Sequence, residues 1–369
     1  MVGPNGTPLA KNRGTGRMKH DGTHSNGGLI AGASPTLEDV ARLAGVSTAT
    51  VSRCLNTPER VVEKTRKRVL KVVDKIGYSP NFSARALAAK RTNTIGAIIP
   101  TMENAIFARG LQAFQEALGE EGYTLLVASS SYLPELEEQQ IRNLLARGAD
   151  ALLLIGFQRD PSVYRFLESR KVPIVISWAY REGMKLPSVG FDNRRAMNVL
   201  ARQVFDFGHT RTAIISAPRA DNDRAEDRVL GVLDVANERG LRTDTIPIIE
   251  TPYSIENGTK AMRILMDRDD RPTVVFCGND VLAVGALQAA RALGLRVPED
   301  VSITGFDNIE LAAIVQPSIT TVHVPHRMMG RESARKIIAM LRGEDVEELT
   351  ALDTRIAHRA SLGPAPGKK

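Results

Sequence analysis

Three side chains in this 369-residue sequence have the types and spacing to hold a polar small molecule. Asn279 and Asp307 directly follow the predicted strands Thr273–Gly278 and Val301–Phe306, and Arg228 lies early in the helix after predicted strand Thr212–Ala217. Open α/β sheets bind ligands outside the carboxyl ends of their strands. A guanidinium, an amide and a carboxylate together match the donors and acceptors of a polyol. On the residues alone, the stronger reading of Asn279 and Asp307 is as helix N-caps. Arg228 has a second reading as an ion-pair partner of Glu226 or Asp227, although neighbours on a helix do not face each other. This is binding chemistry, with no bond making implied. The sequence has no Walker loop, GxSxG elbow, GxGxxG fingerprint or HExxH helix, so no catalytic residue is nominated. Cys54 and Cys277 stand alone, without CxxC or His-rich spacing, and no disulfide, metal or cofactor is expected.

A second constellation suits the reading of DNA bases. Ser47 caps a predicted helix, Thr48–Leu55, that carries Thr48, Ala49, Thr50, Ser52 and Arg53 around its outer side. An arginine can pair bidentately with a guanine edge in the major groove, and small residues can approach a thymine methyl. The helix before it starts at Thr36, with Glu38 and Asp39 favouring its positive end. Leu37, Val40, Ala41 and Ala44 form its apolar stripe, and Gly45 permits the left-handed backbone of a tight turn. Asn56, Thr57 and Pro58 end the second helix. A third follows with Val69, Val72, Val73 and Ile76 inward and Lys64, Arg66, Lys67, Arg68, Lys71 and Lys75 outward. A generic three-helix bundle would show much of the same pattern.

The surrounding chain supports this division of labour. Residues 1–91 hold 16 Lys and Arg against 6 Asp and Glu, and residues 92–369 hold 33 against 36. The basic excess therefore belongs to the N-terminal quarter, pointing to a polyanionic partner there or to a solvated basic surface. Residues 1–34 lack apolar periodicity and read as a disordered arm. From Thr94 short apolar runs alternate with helical stretches: Thr94–Pro100, Tyr123–Ala128, Ala149–Gly156, Pro173–Ser177, Thr212–Ala217, Ile246–Glu250, Thr273–Gly278 and Val301–Phe306. Alternation of that kind builds parallel sheets, and so many strands suggest two similar α/β lobes. No apolar run approaches the ~20 residues of a membrane span, and no signal peptide is evident, so a cytoplasmic protein is expected.

The run from Thr36 to Asn56, TLEDVARLAGVSTATVSRCLN, resembles the DNA-binding headpiece of the lactose-repressor (LacI/GalR) family. The resemblance implies that Thr48, Ala49 and Arg53 read bases. It implies phosphate-contacting or capping roles for Ser47, Thr50, Ser52 and Asn56, with Thr36 in the same DNA-facing set. The segment Tyr78–Arg91 resembles the family's hinge, in which Asn81 would cap a short helix after Pro80. Leu87 would wedge into the minor groove, with Ala84 one turn earlier on the same face. The remaining chain resembles the family's regulatory domain, of periplasmic-binding-protein fold, on segments such as Val189–Asn193, Phe276–Asp280 and Gly305–Asn308.

The expected organisation is an all-α helix-turn-helix headpiece at 35–79, a hinge at 80–92 and a two-lobed α/β effector domain at 93–369. Lobe 1 would take about 93–190 and 323–350, and lobe 2 about 191–322 and 351–362. The resemblance places Arg228, Asn279 and Asp307 in the effector pocket. Ser177 and Trp178 stand where several sugar-binding members carry an aspartate, which makes a neutral hexose less secure and a sugar acid beside Arg228 better tolerated. Trp178 reads as a stacking surface for ligand or as core, and Asp192 and Asn193 as helix caps. A homodimer on a pseudo-palindromic duplex operator is expected, through helices 104–121, 254–268 and 279–293. The short Pro/Gly tail offers no tetramer helix. An enzyme, a secreted solute-binding protein and a purine-responsive co-repressor are the rival functions.

Overall fold

The computed structural model describes residues 35–79, 91–103 and 105–367, in two units divided between positions 81 and 82. The first unit consists of α1 (Leu37–Ala44), α2 (Thr48–Asn56) and α3 (Glu63–Ile76). Thr36 opens α1 with a reciprocal cap. Its hydroxyl accepts from the Asp39 N–H at 3.3 Å and its own N–H donates to the Asp39 carboxylate at 3.1 Å. The Arg42 guanidinium, with Thr36, holds the Asp39 carboxyl down at about 2. Gly45 turns the chain at φ +62°, which a side chain would resist. Val40, Ala41 and Ala44 of α1, Val51 and Cys54 of α2 and Val69 of α3 form the buried core. Helix α2 runs one residue past its predicted end, because the Asn56 amide reaches back to Ser52 Oγ at 3.2 Å.

The second unit holds two six-stranded sheets. In the first, β1 (Thr94–Ile99) lies between β2 (Thr124–Ser129) and β3 (Ala151–Ile155). Beyond β3 come β4 (Ile174–Ser177), β5 (Ser188–Gly190) and a late strand at Leu349–Ala351, all parallel. In the second, β6 (Thr212–Ser216) lies between β7 (Ile248–Glu250) and β8 (Val274–Cys277). Then follow β9 (Ser302–Asp307), β10 (Thr320–His323) and an antiparallel edge at Arg355–Ala357. Strand order reverses at β1 in one lobe and at β6 in the other, so each lobe opens a crevice there.

Helices cover both faces of each sheet. They are α4 (Ala105–Glu120), α5 (Pro134–Ala146) and α6 (Pro161–Ser169) in the first lobe, then α7 (Asn193–Asp206), α8 (Asp223–Glu238), α9 (Ile255–Met266), α10 (Asp280–Ala292) and α11 (Glu310–Ile314) in the second, and α12 (His326–Arg342), which returns to pack on α4. Short strands β5, β10 and the two late edges were not among the predicted runs. Three or four residues are too few to show a period. Of the helices expected at a dimer contact, α10 is buried on most sides by its own lobe, while α9 exposes Ile264. His209, in the turn after α7, is buried and bonds Thr273 Oγ1 and the Gly363 carbonyl, both at 3.0 Å, a structural tie. No helix among the described residues is long and apolar enough to cross a membrane.

Candidate functional site

The first unit presents α2 as a polar face backed by Val51 and Cys54. Ser47 Oγ accepts from the Thr50 N–H at 3.2 Å and lies 2.9 Å from Thr50 Oγ1. That cap engages Ser47 and Thr50 within the helix and leaves Thr48, Ala49 and Arg53 exposed beside them. Arg53 enters no ion pair among the described residues, so its guanidinium is unspent. Ser52 and Asn56 bond each other, and Thr36 is held in its cap. Asn81, Ala84 and Leu87 lie outside the described residues.

In the second unit the four nominated residues Trp178, Arg228, Asn279 and Asp307 line one cleft between the lobes, together with Ile106, Phe107, Tyr132, Asn222, Arg224 and Tyr253. They arrive from separate elements: Trp178 just after β4, Arg228 on α8, Asn279 just after β8, and Asp307 at the end of β9. Asn279 is the N-cap of α10, its Oδ1 accepting from the Leu282 N–H at 2.9 Å. The amide nitrogen is left without a partner. Asn279 is therefore a cap and a cleft-lining residue together, the cap using one end of the amide and leaving the other free. Asp307 caps no helix.

Arg228 pairs with neither Glu226 nor Asp227. Those acids pair with Arg219 at 3.1 Å and Arg181 at 3.5 Å. Its Nε donates to Asn193 Oδ1 at 2.9 Å and its Nη1 to the Gly278 carbonyl at 2.8 Å. Its Nη2 lies 3.7 Å from Asp307 Oδ1, and its Cζ sits 3.8 Å from the Phe306 ring centroid. Burial pushes the Asp307 carboxyl up to about 6, against the pull of Arg228. Trp178 is 1% exposed, packs on Phe107 and His326, and leaves its Nε1 unpaired. It is thus core and cleft wall together. Burial pushes the neighbouring His326 down to about 3 and so keeps it neutral.

Sequence reasoning missed several cleft residues. Asn193 is no cap; Asp192 is, accepting from the Arg195 N–H at 2.8 Å. Asn193 bridges the lobes instead, donating to the Trp178 carbonyl at 3.1 Å while accepting from Arg228. Tyr132 follows β2 and Tyr253 follows β7, and their rings meet at 6.0 Å across the cleft. Burial raises both hydroxyls above the ordinary tyrosine range. Asn222, Asp223 and Arg224 follow β6. Applied to every strand end, the rule that found Asn279 would have found all five.

Behind the cleft, burial and the nearby Asp307 charge push Asp280 up to about 8, against hydrogen bonds from Thr321 Oγ1 at 2.6 Å and the Ile309 N–H at 2.7 Å. The folded state then holds its proton where the unfolded chain has lost it. Stability contributed here is present below the ordinary aspartate range and is lost as pH rises from about 4 toward 8. Asp280→Asn, which cannot ionise, should flatten the fall of melting temperature across that window. A slope equal to that of the unaltered protein would refute it.

Comparison with known proteins places this geometry. The family of bacterial regulatory proteins, lacI family, matches residues 36–81, and a periplasmic-binding-protein-like domain matches residues 201–362. The transcriptional repressor CytR of Escherichia coli K12 is 33% identical over 333 residues, covering 90% of this chain and 97% of its own. A solved LacI-family regulator from Silicibacter pomeroyi superposes with a TM-score of 0.82 at 26% identity, over 89% of this chain and 99% of that one. The regulator CelR, solved as a cellobiose complex, is 30% identical with a TM-score of 0.66, over 89% of this chain and 99% of that one. A helix-turn-helix, two lobes with parallel sheets and full-length similarity to a named repressor agree, and the chain belongs to the lacI family of bacterial regulatory proteins.

Proposed function

We propose that this protein is a homodimeric repressor whose hold on operator DNA is switched by a small neutral sugar bound between the lobes. The observation that carries the ligand class is the set of buried polar atoms without hydrogen-bond partners on one cleft: the Trp178 N–H, the Asn279 amide nitrogen and Asp307 Oδ1. Two donors and an acceptor beside aromatic walls suit hydroxyl groups on a ring with apolar faces. The cleft is nearly closed in this structure, with about 10 Å³ of open space, so a ligand would be taken up as the lobes part. Its charges are already balanced, Arg224 by Asp223 at 2.9 Å and Arg228 by Asp307. That balance weighs against the sugar acid suggested by the missing aspartate near Trp178. The cellobiose complex of CelR supports a sugar in the same sense.

Trp178 is the only tryptophan in the sequence, so its emission reports the cleft directly. Titration with sugars, sugar acids and nucleobases, paralleled by thermal shift, should single out neutral sugars. A response confined to nucleobases or acids would overturn the ligand class. Ligand need only prefer one lobe arrangement to shift DNA affinity.

On the DNA side, Arg53 is the expected guanine reader and Thr48 and Ala49 its neighbours, while the capping residues set register. Arg53→Ala should cost about 1–3 kcal/mol at the operator and relax preference at one base position per half-site. An unchanged base preference in a binding-site selection would remove Arg53 from that role.

A further inference from the structure

We propose that the outer face of α3 is a second phosphate-binding surface of the headpiece, taking duplex backbone that α2 does not read. Nine Lys and Arg fall between residues 35 and 79, and six of them are on α3, away from the base-reading residues. Lys64, Arg68, Lys71 and Lys75 recur at spacings of four, three and four. At 3.6 residues per turn they occupy an arc of about 60°, in a line about 16 Å long. All four are exposed, and the inward residues Val69, Val72, Val73 and Ile76 lie on the other side of the helix.

Neither acid on α3 neutralises this line. Glu63 is committed to Lys67 at 2.8 Å, and Asp74 forms no ion pair among the described residues. None of the four cations has a carboxylate within salt-bridge distance among the described residues. Like charges three and four apart on a helix repel and weaken it, so the stripe opposes the folding of its own helix. A solvated face gains nothing from that arrangement. A phosphate backbone relieves it, because a duplex strand offers one charge about every 3.4 Å along its axis, some five along the length of the stripe. Lysines and an arginine on a regular line, with no planar stacking partner, suit phosphates rather than base edges.

This inference rests on the headpiece binding DNA, and the test separates the two. The full-length quadruple variant Lys64→Gln, Arg68→Gln, Lys71→Gln, Lys75→Gln keeps good helix formers at each position. Its helix content is checked by circular dichroism, with the single variant Arg68→Gln as the milder form. Affinity for a random-sequence 40-base-pair duplex, and for a duplex recovered by selection with the unaltered protein, is measured against salt. The quadruple variant should lower the slope of log K against log salt by about 0.9 for each phosphate it no longer neutralises, with the selected base preference unchanged. Equal slopes and equal random-duplex affinities would mean a solvated surface only and would overturn the proposal. Salt-independent or absent DNA binding by the unaltered protein would instead overturn the repressor reading. A deficit that grows with flanking length places the stripe on the same duplex. Failure of the variant complex to capture a second labelled duplex, where the unaltered complex succeeds, places it on another, and either result supports the surface.

Discussion

Arg228→Ala is expected to abolish the response to ligand and to lower the melting temperature of the effector domain by on the order of 10 °C, while the headpiece still binds its operator below that transition. The guanidinium is 5% exposed and donates to two protein acceptors, Asn193 Oδ1 and the Gly278 carbonyl. It also faces Asp307 at 3.7 Å. Truncation strands a buried carboxylate, and removing one partner of a buried charge pair typically costs about 3–5 kcal/mol. At roughly 2–4 °C per kcal/mol for a domain of this size class, the shift follows. The pH dependence adds a second signature. With Arg228 present, burial holds Asp307 up at about 6, so its contribution falls as pH rises from about 4 to 6 and is level above. Without Arg228 the carboxyl moves higher and the loss continues past 6. The variant's deficit should therefore be smallest in mild acid and largest above neutral pH. Arg228→Lys keeps the charge without the directed bonds, and should restore part of the stability but little of the ligand response. Melting curves across pH and calorimetric titration with a sugar found through Trp178 check both halves. Normal sugar affinity in Arg228→Ala would take the residue out of the pocket.

The parts of this molecule legible in its sequence are those decided by neighbours along the chain. The caps at Thr36 and Ser47, the left-handed Gly45 and the apolar strand runs are local, and local chemistry sets them. Asn279 and Arg228 were legible because a strand end is a local feature with a known use. What stayed hidden depends on elements distant in sequence. Nothing near Asn193 reveals that its amide spans from the Trp178 carbonyl to Arg228, since Asp192 beside it is an equal candidate for the cap. Tyr132 meets Tyr253 only once two lobes face each other. The reading of the ligand shifted for the same reason. In sequence, Arg228 reads as a cation open to ligand or paired with its neighbour Glu226 or Asp227; in the structure its charge is met by Asp307, 79 positions further on.

One contact between the lobes hides most completely, because it turns on a glycine. Asp223 Oδ2, at the start of α8, accepts from the Phe157 N–H of the other lobe at 2.6 Å, and Arg224 Nη1 donates to the Ile155 carbonyl at 3.2 Å. Both side chains lie over Gly156. A Cβ there would stand 1.9 Å from Arg224 Nη1 and 2.4 Å from Asp223 Oδ1, and the backbone sits at φ +72°. Gly156→Ala therefore adds left-handed strain of about 1 kcal/mol and displaces a charge-assisted hydrogen bond of about 1.5–3 kcal/mol. Neither side chain can swing away without giving up its bond to the opposite lobe. The variant should lose about 3 kcal/mol of stability and, unlike Arg228→Ala, do so by opening the cleft while each lobe stays folded. Small-angle scattering should show a larger radius of gyration, Trp178 emission should shift to the red, and the Phe157 amide should exchange faster with solvent. Gly183→Ala, at φ +80° with no atom near the new Cβ, carries the same backbone strain without the collision and isolates the interlobe term. Equal behaviour of the two alanine variants would show that the Asp223–Arg224 contact does not hold the lobes closed. A larger effect at Gly156 would assign closure to that contact, and sugar binding would then act by adding to a latch the protein already carries.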